Sequence, residues 1–412
     1  MGETEAFETV TGGKPETPAE ARNGLRHTAA LSMTKIADGL IDPKLVLSWL
    51  LSALGAPTAA IGALVPIREA GALLPQVALA GPVERMRRRK WAWVAGSAGQ
   101  GIAAGLIVLV ALTLEGTAAG VAICAVLAAL AVSRALCSLS FKEVLGATVG
   151  KTRRGAVTGF AGSASSIAVL AFALLLISGL VQNRGAVVWA IALAAALWGL
   201  AAVVFSTLEE EPNSDADEAE GVNFRLLTDH PVLWRFILVR GLLVPTALAP
   251  PYLVILGGGD GGRLGQLGAL VLASAAASLA SSWVWGRASD VSSRKVLMAA
   301  GVLGGLAIVA AVLLFAAGLA ETVWAMPAAL FVLMVAYHGV RQSRSTYLVD
   351  ISPEDQRAAW AAVANTVIGV ILLAVGAIGG AASLLGAVAV LILFAAMSAG
   401  AAVAALWLEE AE

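Results

Sequence analysis

The chain has 412 residues, of which 59% are hydrophobic and only 13% charged, with a net charge of −1 and a mean hydropathy of +0.85. That balance excludes a soluble globular domain and offers no basic surface for nucleic acid. It leaves an all-α membrane protein embedded in a lipid bilayer, since in hydrocarbon a helix satisfies its own backbone.

Residues 1–28 are polar, lack an apolar core of their own and read as a disordered cytosolic tail. Twelve apolar segments follow, at 31–54, 59–80, 91–112, 117–139, 156–180, 186–208, 232–256, 264–285, 296–317, 322–347, 358–380 and 384–407. Each is long enough for a helix to cross a core that takes about 20 residues. Between the sixth and seventh, the acidic stretch EEEPNSDADEAEG has no basic residue and no apolar periodicity, so 209–230 reads as a solvated linker. It divides the chain into two six-helix bundles, 29–208 and 231–408. The loops carrying Arg85 to Lys90, Lys151 to Arg154, Arg287 to Lys295, and Arg357 are basic, while the opposite loops offer only Arg184 and Arg263. By the positive-inside rule both termini are cytosolic.

Nothing points to an enzyme or a cofactor. Cys124 and Cys137 share one span and form no metal or disulfide pattern, and the glycines from Gly257 to Gly262 follow a span as a turn rather than a nucleotide loop.

The charges that matter are those inside the spans. Span one carries Lys35, Asp38, Asp42 and Lys44, and span two carries Arg68 and Glu69. Each costs about 2.5–3.5 kcal/mol if left unpaired at mid-membrane, so they must face one another, a partner helix or water. Asp38 and Asp42, four apart, are expected to share a helix face, with Lys35 one turn before Asp38 to neutralise it. Arg68 and Glu69 are adjacent and point about 100° apart, so one of them is expected to meet Asp42 or Lys44. Gln76 continues the face of Glu69, and Pro43, Pro66 and Pro75 interrupt the two spans. In the second half Arg240 lies mid-span. His338, Arg341, Gln342 and Ser345 fall on one face of span ten at helical spacing. Deep bases outnumber deep acids, which favours an anionic or zwitterionic solute recognised mainly by Arg240 and Arg68.

The loop after span two reads GPVERMRRRKW, and the loop after span eight reads GRASDVSSRKVL. Glu84 stands four before Arg88 as Asp290 stands four before Arg294, which Lys295 follows; the offset, 290 − 84 = 206, is half of 412. Twelve spans, a linker after the sixth and this acid-x3-Arg-basic loop repeated resemble the major facilitator superfamily, from about Leu31 onward. Gly286, Asp290, Arg294 and Lys295 match the signature well. The first copy departs from it at Glu84 and Arg87.

The resemblance implies a carrier whose two halves rock around a midplane site. It assigns Glu84, Arg88, Asp290, Arg294 and Lys295 to a conformational latch. It is also similar to proton-driven members in placing an acid on span one at the depth of Arg134 on span four, which makes Asp38 or Asp42 the expected proton-coupling acid. Lys44, Arg68, Glu69, Gln76, Arg240, His338 and Arg341 are the expected solute contacts. The expected function is a proton-coupled symporter for a small organic solute, a monomer in the cytoplasmic (inner) membrane. The alternatives are a proton-driven efflux antiporter for amphiphilic compounds, weakened by the missing Gly-Pro element in span five, and a non-transporting relative that binds a pigment or lipid or assists membrane assembly.

Overall fold

The computed structural model describes residues 2–180, 183–212, 224–258 and 264–410. Ten helices among these residues are long and apolar enough to cross a membrane. Two of the expected segments fall outside that criterion, the first and the tenth. Both are the polar ones, and each fails for a local reason.

The first segment is broken. Helices α1 (Glu3–Thr11) and α2 (Pro18–Leu40) open the chain, and α3 (Val46–Ala53) completes the span. Pro43 has no amide proton and disfavours helix in the residue before it, so α2 stops two residues short of Asp42. The Asp42 carboxylate then accepts the Lys44 amide at 2.7 Å, and its carbonyl accepts the amides of Val46 and Leu47 at 2.9 and 3.1 Å, restarting the helix. The second half repeats the device with Pro245 and Pro250: α11 (Pro231–Leu242), α12 (Pro245–Leu248) and α13 (Pro250–Leu256) divide its first span. Helices broken at mid-depth, where side chains or water satisfy the freed backbone, are a way to place polar groups inside a bundle.

The remaining helices are α4 (Thr58–Leu73), α5 (Pro75–Glu84), α6 (Lys90–Thr113), α7 (Gly116–Thr148), α8 (Arg154–Ile177), α9 (Gly185–Ser206), α10 (Leu226–Asp229), α14 (Leu264–Ala316), α15 (Ala325–Ile351), α16 (Arg357–Ala382) and α17 (Ala387–Ala404). Helix α14 holds two spans in one run, bent where Ser292 leaves helical geometry. Pro66 does not interrupt α4, which continues through it. Outward faces such as Ile102, Leu109 and Leu112, or Leu306 and Leu313, are exposed and apolar, as lipid contact requires.

The segment expected to be a disordered tail is ordered. Phe7 of α1 is fully buried against Gly24 of α2, and Glu20 anchors the same corner by accepting the Gly150 amide at 2.8 Å and pairing with Arg153 at 2.9 Å. Burial alone would raise the Glu20 pKa; the Glu16 and Gly150 amides and Arg153 outweigh it and hold the carboxyl below its ordinary range.

The start of the expected linker is also structured, although 213–223 lie outside the described residues. Glu209 binds Arg22 at 2.8 Å and Arg26 at 3.1 Å, and Glu210 caps the start of α6 by accepting the amides of Arg89 and Lys90. The other half does the same after its last span. Glu409 binds Arg235 at 3.2 Å and Glu410 binds Lys295 at 3.4 Å. Leu-Glu-Glu at 208 and again at 408 thus clips the first and third spans of its own half to the last.

The halves meet along two pairs of helices. There α16 packs on α4, with Gly376 against Pro66 and a Cβ at Gly369 only 2.7 Å from Leu74. Likewise α14 packs on α8, where a Cβ at Gly268 would lie 2.8 Å from the Ala173 carbonyl. Only glycine permits that approach. Toward the basic loops the two halves draw apart around a cavity.

Candidate functional site

That cavity, of about 830 Å³, lies between the halves. The break after α2 supplies Asp42 and Lys44, α8 supplies serines at 163, 165 and 166, α14 adds Ser274 and Ser278, and α15 contributes Tyr337, His338 and Arg341. A second cavity of about 330 Å³ shares His338 and Arg341 with it and continues past Gln342 and Ser345 toward the basic end.

Beside the cavity sits an acid held by two bases. Asp38 accepts from Arg68 at 2.9 Å through one oxygen and from Arg134 through the other, so spans one, two and four converge on one carboxylate. Arg68 is 12% exposed and Arg134 36%. An arrangement of one acid and two bases retains a net positive charge in a low-dielectric setting.

Several sequence expectations are corrected by this geometry. Asp42 does not share a helix face with Asp38, because α2 has already ended at Leu40. Lys35 does not neutralise Asp38; its ammonium donates to the Thr158 carbonyl at 3.0 Å and its carbonyl accepts from Ser165, tying span one to span five. Arg68 meets Asp38 rather than Asp42 or Lys44. Gln76 donates to the Ala72 carbonyl at 2.7 Å, a local bond on its own span, and is not among the cavity-lining groups.

The described latch residues make other contacts. Arg88 is exposed, and Arg89 rather than Arg88 crosses to span four, where it pairs with Glu143. Arg89 also donates to the Glu84 carbonyl, so Glu84 contributes through its backbone. Arg294 donates to the Leu408 carbonyl at 3.1 Å. The Asp290 side chain lies outside those described.

Four deep bases have no carboxylate within ion-pair distance among the described residues, and of these Lys44 and Arg341 line the cavity. Lys44, 8% exposed, places its ammonium 3.7 Å from the centre of the Tyr337 ring. Cation–π contact offsets about 0.5–2 kcal/mol of its burial. Arg240, 5% exposed, shares the Asn365 carboxamide oxygen through two nitrogens at 3.2 Å each, and its Nε is buried without a partner. Arg341 lines both cavities, and Arg344 stands a turn closer to the basic end. Glu69 feels Lys44, Arg68, Arg344 and Arg341, yet makes no ion pair with any of them. His338 lines both cavities with its Nε2 buried and without a partner.

No family model matches the sequence, and no curated protein matches it. Solved structures do. The nucleoside transporter NupG superposes with a TM-score of 0.72 at 15% identity, covering 93% of this chain and 98% of its own. A POT family transporter solved with 5-aminolevulinic acid gives 0.68 at 12%, covering 94% and 96%. The xylose transporter XylE from E. coli, in a partially occluded inward open conformation, gives 0.64 at 12%, covering 94% and 97%. At such identities the likeness is one of fold: the chain shares the helical fold of these transporters.

Proposed function

We propose that the chain is a twelve-span secondary active transporter that moves a small organic anion or zwitterion by alternating access, coupled to protons through Asp38. The observation that carries this reading is the single Asp38 carboxylate shared by Arg68 and Arg134 beside an inter-half cavity.

The chemistry follows from that sharing. A proton on Asp38 and the two guanidinium groups compete for the same oxygens, so protonation frees one or both arginines. A freed arginine can take an anionic solute, and loss of the solute returns it to the ionised acid. Asp42 is a less suitable coupling acid because its carboxylate is engaged in restarting the broken helix. The cavity continues past Gln342 and Ser345 toward the basic loops, so we read this state as open on their side, which the positive-inside rule makes cytosolic. The latch residues Arg294 and Lys295, held within their own half here, are the groups expected to exchange partners when that side closes.

The same geometry disfavours a non-transporting relative, since a wide cavity continuous toward one side has no use in a fixed bundle. The test is uptake into proteoliposomes of whichever anion or zwitterion best raises the melting temperature of the purified protein. Accumulation driven by a pH gradient that is acidic outside the vesicle, and abolished by a protonophore, supports the proposal. Uptake indifferent to the gradient removes the coupling, and no uptake of any stabilising solute removes the carrier.

A further inference from the structure

Asp38 is fully engaged by Arg68 and Arg134, and Asp42 stands against Lys44, whose amide it accepts. Glu69 is then the remaining deep acid among the described residues, with Lys44, Arg68, Arg344, Arg341 and Arg240 all near enough to act on it. Whatever pairing is chosen, this region keeps an excess of positive charge.

Each uncompensated charge in a poorly hydrated site costs several kcal/mol, and a bundle retains such groups only where something else neutralises them. Arg240 shows the shortfall most directly. It is almost wholly buried, has a neutral carboxamide as its one partner, and holds an Nε with nothing to bond. Asn365 offers a single oxygen to two donors of a planar fork built for a bidentate acceptor. Lys44 lays its ammonium over the Tyr337 ring at the cavity wall, and Arg341 opens into both cavities.

From this we infer that the solute carries at least two negative charges, as a dicarboxylate or a phosphate monoester does, and bridges the Arg240 side of the axis to Lys44 and Arg341. The inference rests on the carrier reading and narrows it. A single carboxylate satisfies one fork and leaves the others unpaired. Two anionic ends a few ångströms apart satisfy groups from spans one, seven and ten together. Because Lys44 belongs to one half and Arg240 and Arg341 to the other, such a solute also draws the halves toward closure. Arg68 is not among its first contacts in this state, being held by Asp38.

The full chain, purified in detergent at constant ionic strength set with sodium chloride, is to be titrated with succinate, glycerol 3-phosphate, acetate, alanine and choline, reading thermal stability. A dianion is expected to bind at least about tenfold tighter than acetate. Succinate above glycerol 3-phosphate assigns the dicarboxylate, and the reverse order assigns the phosphate. R240Q is expected to lose that preference, R240K to keep part of it, and R341Q, on the open side of the cavity, to weaken it should R240Q fail to fold. Equal response to acetate and succinate overturns the two-charge inference while leaving an anion carrier in place. Response to alanine alone overturns the two-charge inference while leaving a zwitterion carrier in place, and response to choline alone overturns both readings. No response to either dianion, or an undiminished dianion preference in R240Q, overturns the inference.

Discussion

Arg68 Nη2 lies 2.9 Å from Asp38 Oδ1, thirty residues away in sequence and on the neighbouring span, while Arg134 occupies the other oxygen. Arg68 is the less exposed of the two bases.

The two arginines should therefore differ in their effect on stability. Arg68→Gln removes a buried charge-assisted bond and is expected to lower stability by about 1–3 kcal/mol. Arg134→Gln, on a side chain 36% exposed, should cost less than half of that once solvent screening is counted. Melting temperatures in detergent compare them, and equal losses would show that Asp38 does not depend mainly on Arg68.

The closed end depends on glycine. A side chain at Gly268 meets the Ala173 carbonyl and the Leu176 and Ile177 side chains, so Gly268→Val should wedge α14 from α8. Overpacking of this kind costs about 1–3 kcal/mol, which shifts the population roughly 5- to 150-fold toward the state open on that side. In a background lacking Cys124 and Cys137, a cysteine at Leu267 should become labelled by an impermeant maleimide. Unchanged labelling in a folded variant would show that this contact does not move.

The clip at Glu209 carries a pH signature. Hydrogen bonds from Arg22 and then Arg26 hold the Glu209 carboxyl down to about 2, against an ordinary value near 4.5. A depressed carboxylate contributes stability above its unfolded value and loses it as pH falls through the folded one. The stability difference between wild type and Glu209→Gln should thus be constant above about pH 5 and shrink from pH 4.5 toward 2. A difference that grows on acidification would contradict the assignment.

Much of this architecture could be read from the residues, and its failures have identifiable causes. Hydropathy gives the apolar spans, and the depth of Arg134 puts it opposite Asp38, because both quantities depend on counting along regular helices. Counting fails where the helix does. The Pro43 break takes Asp42 off the face of Asp38 and brings Lys44 to the cavity wall. Glu209 and Glu210 look like solvated acids by composition, since their partners Arg22, Arg26 and the Arg89 amide lie more than a hundred residues away. The repeat of Leu-Glu-Glu at 208 and 408 was the available signal, and the acidic run around the first copy masks it. The Arg89 to Glu143 pair shows a similar limit: among consecutive basic residues, only tertiary geometry decides which one crosses to a neighbouring helix.

The most direct test of the coupling account separates driven uptake from exchange in Asp38→Asn. With the same reconstituted protein and stabilising solute, the variant should lose accumulation driven by a pH gradient while keeping counterflow within about threefold of wild type. Accumulation that survives in Asp38→Asn, with its pH dependence intact, would contradict the assignment of the proton to this carboxylate.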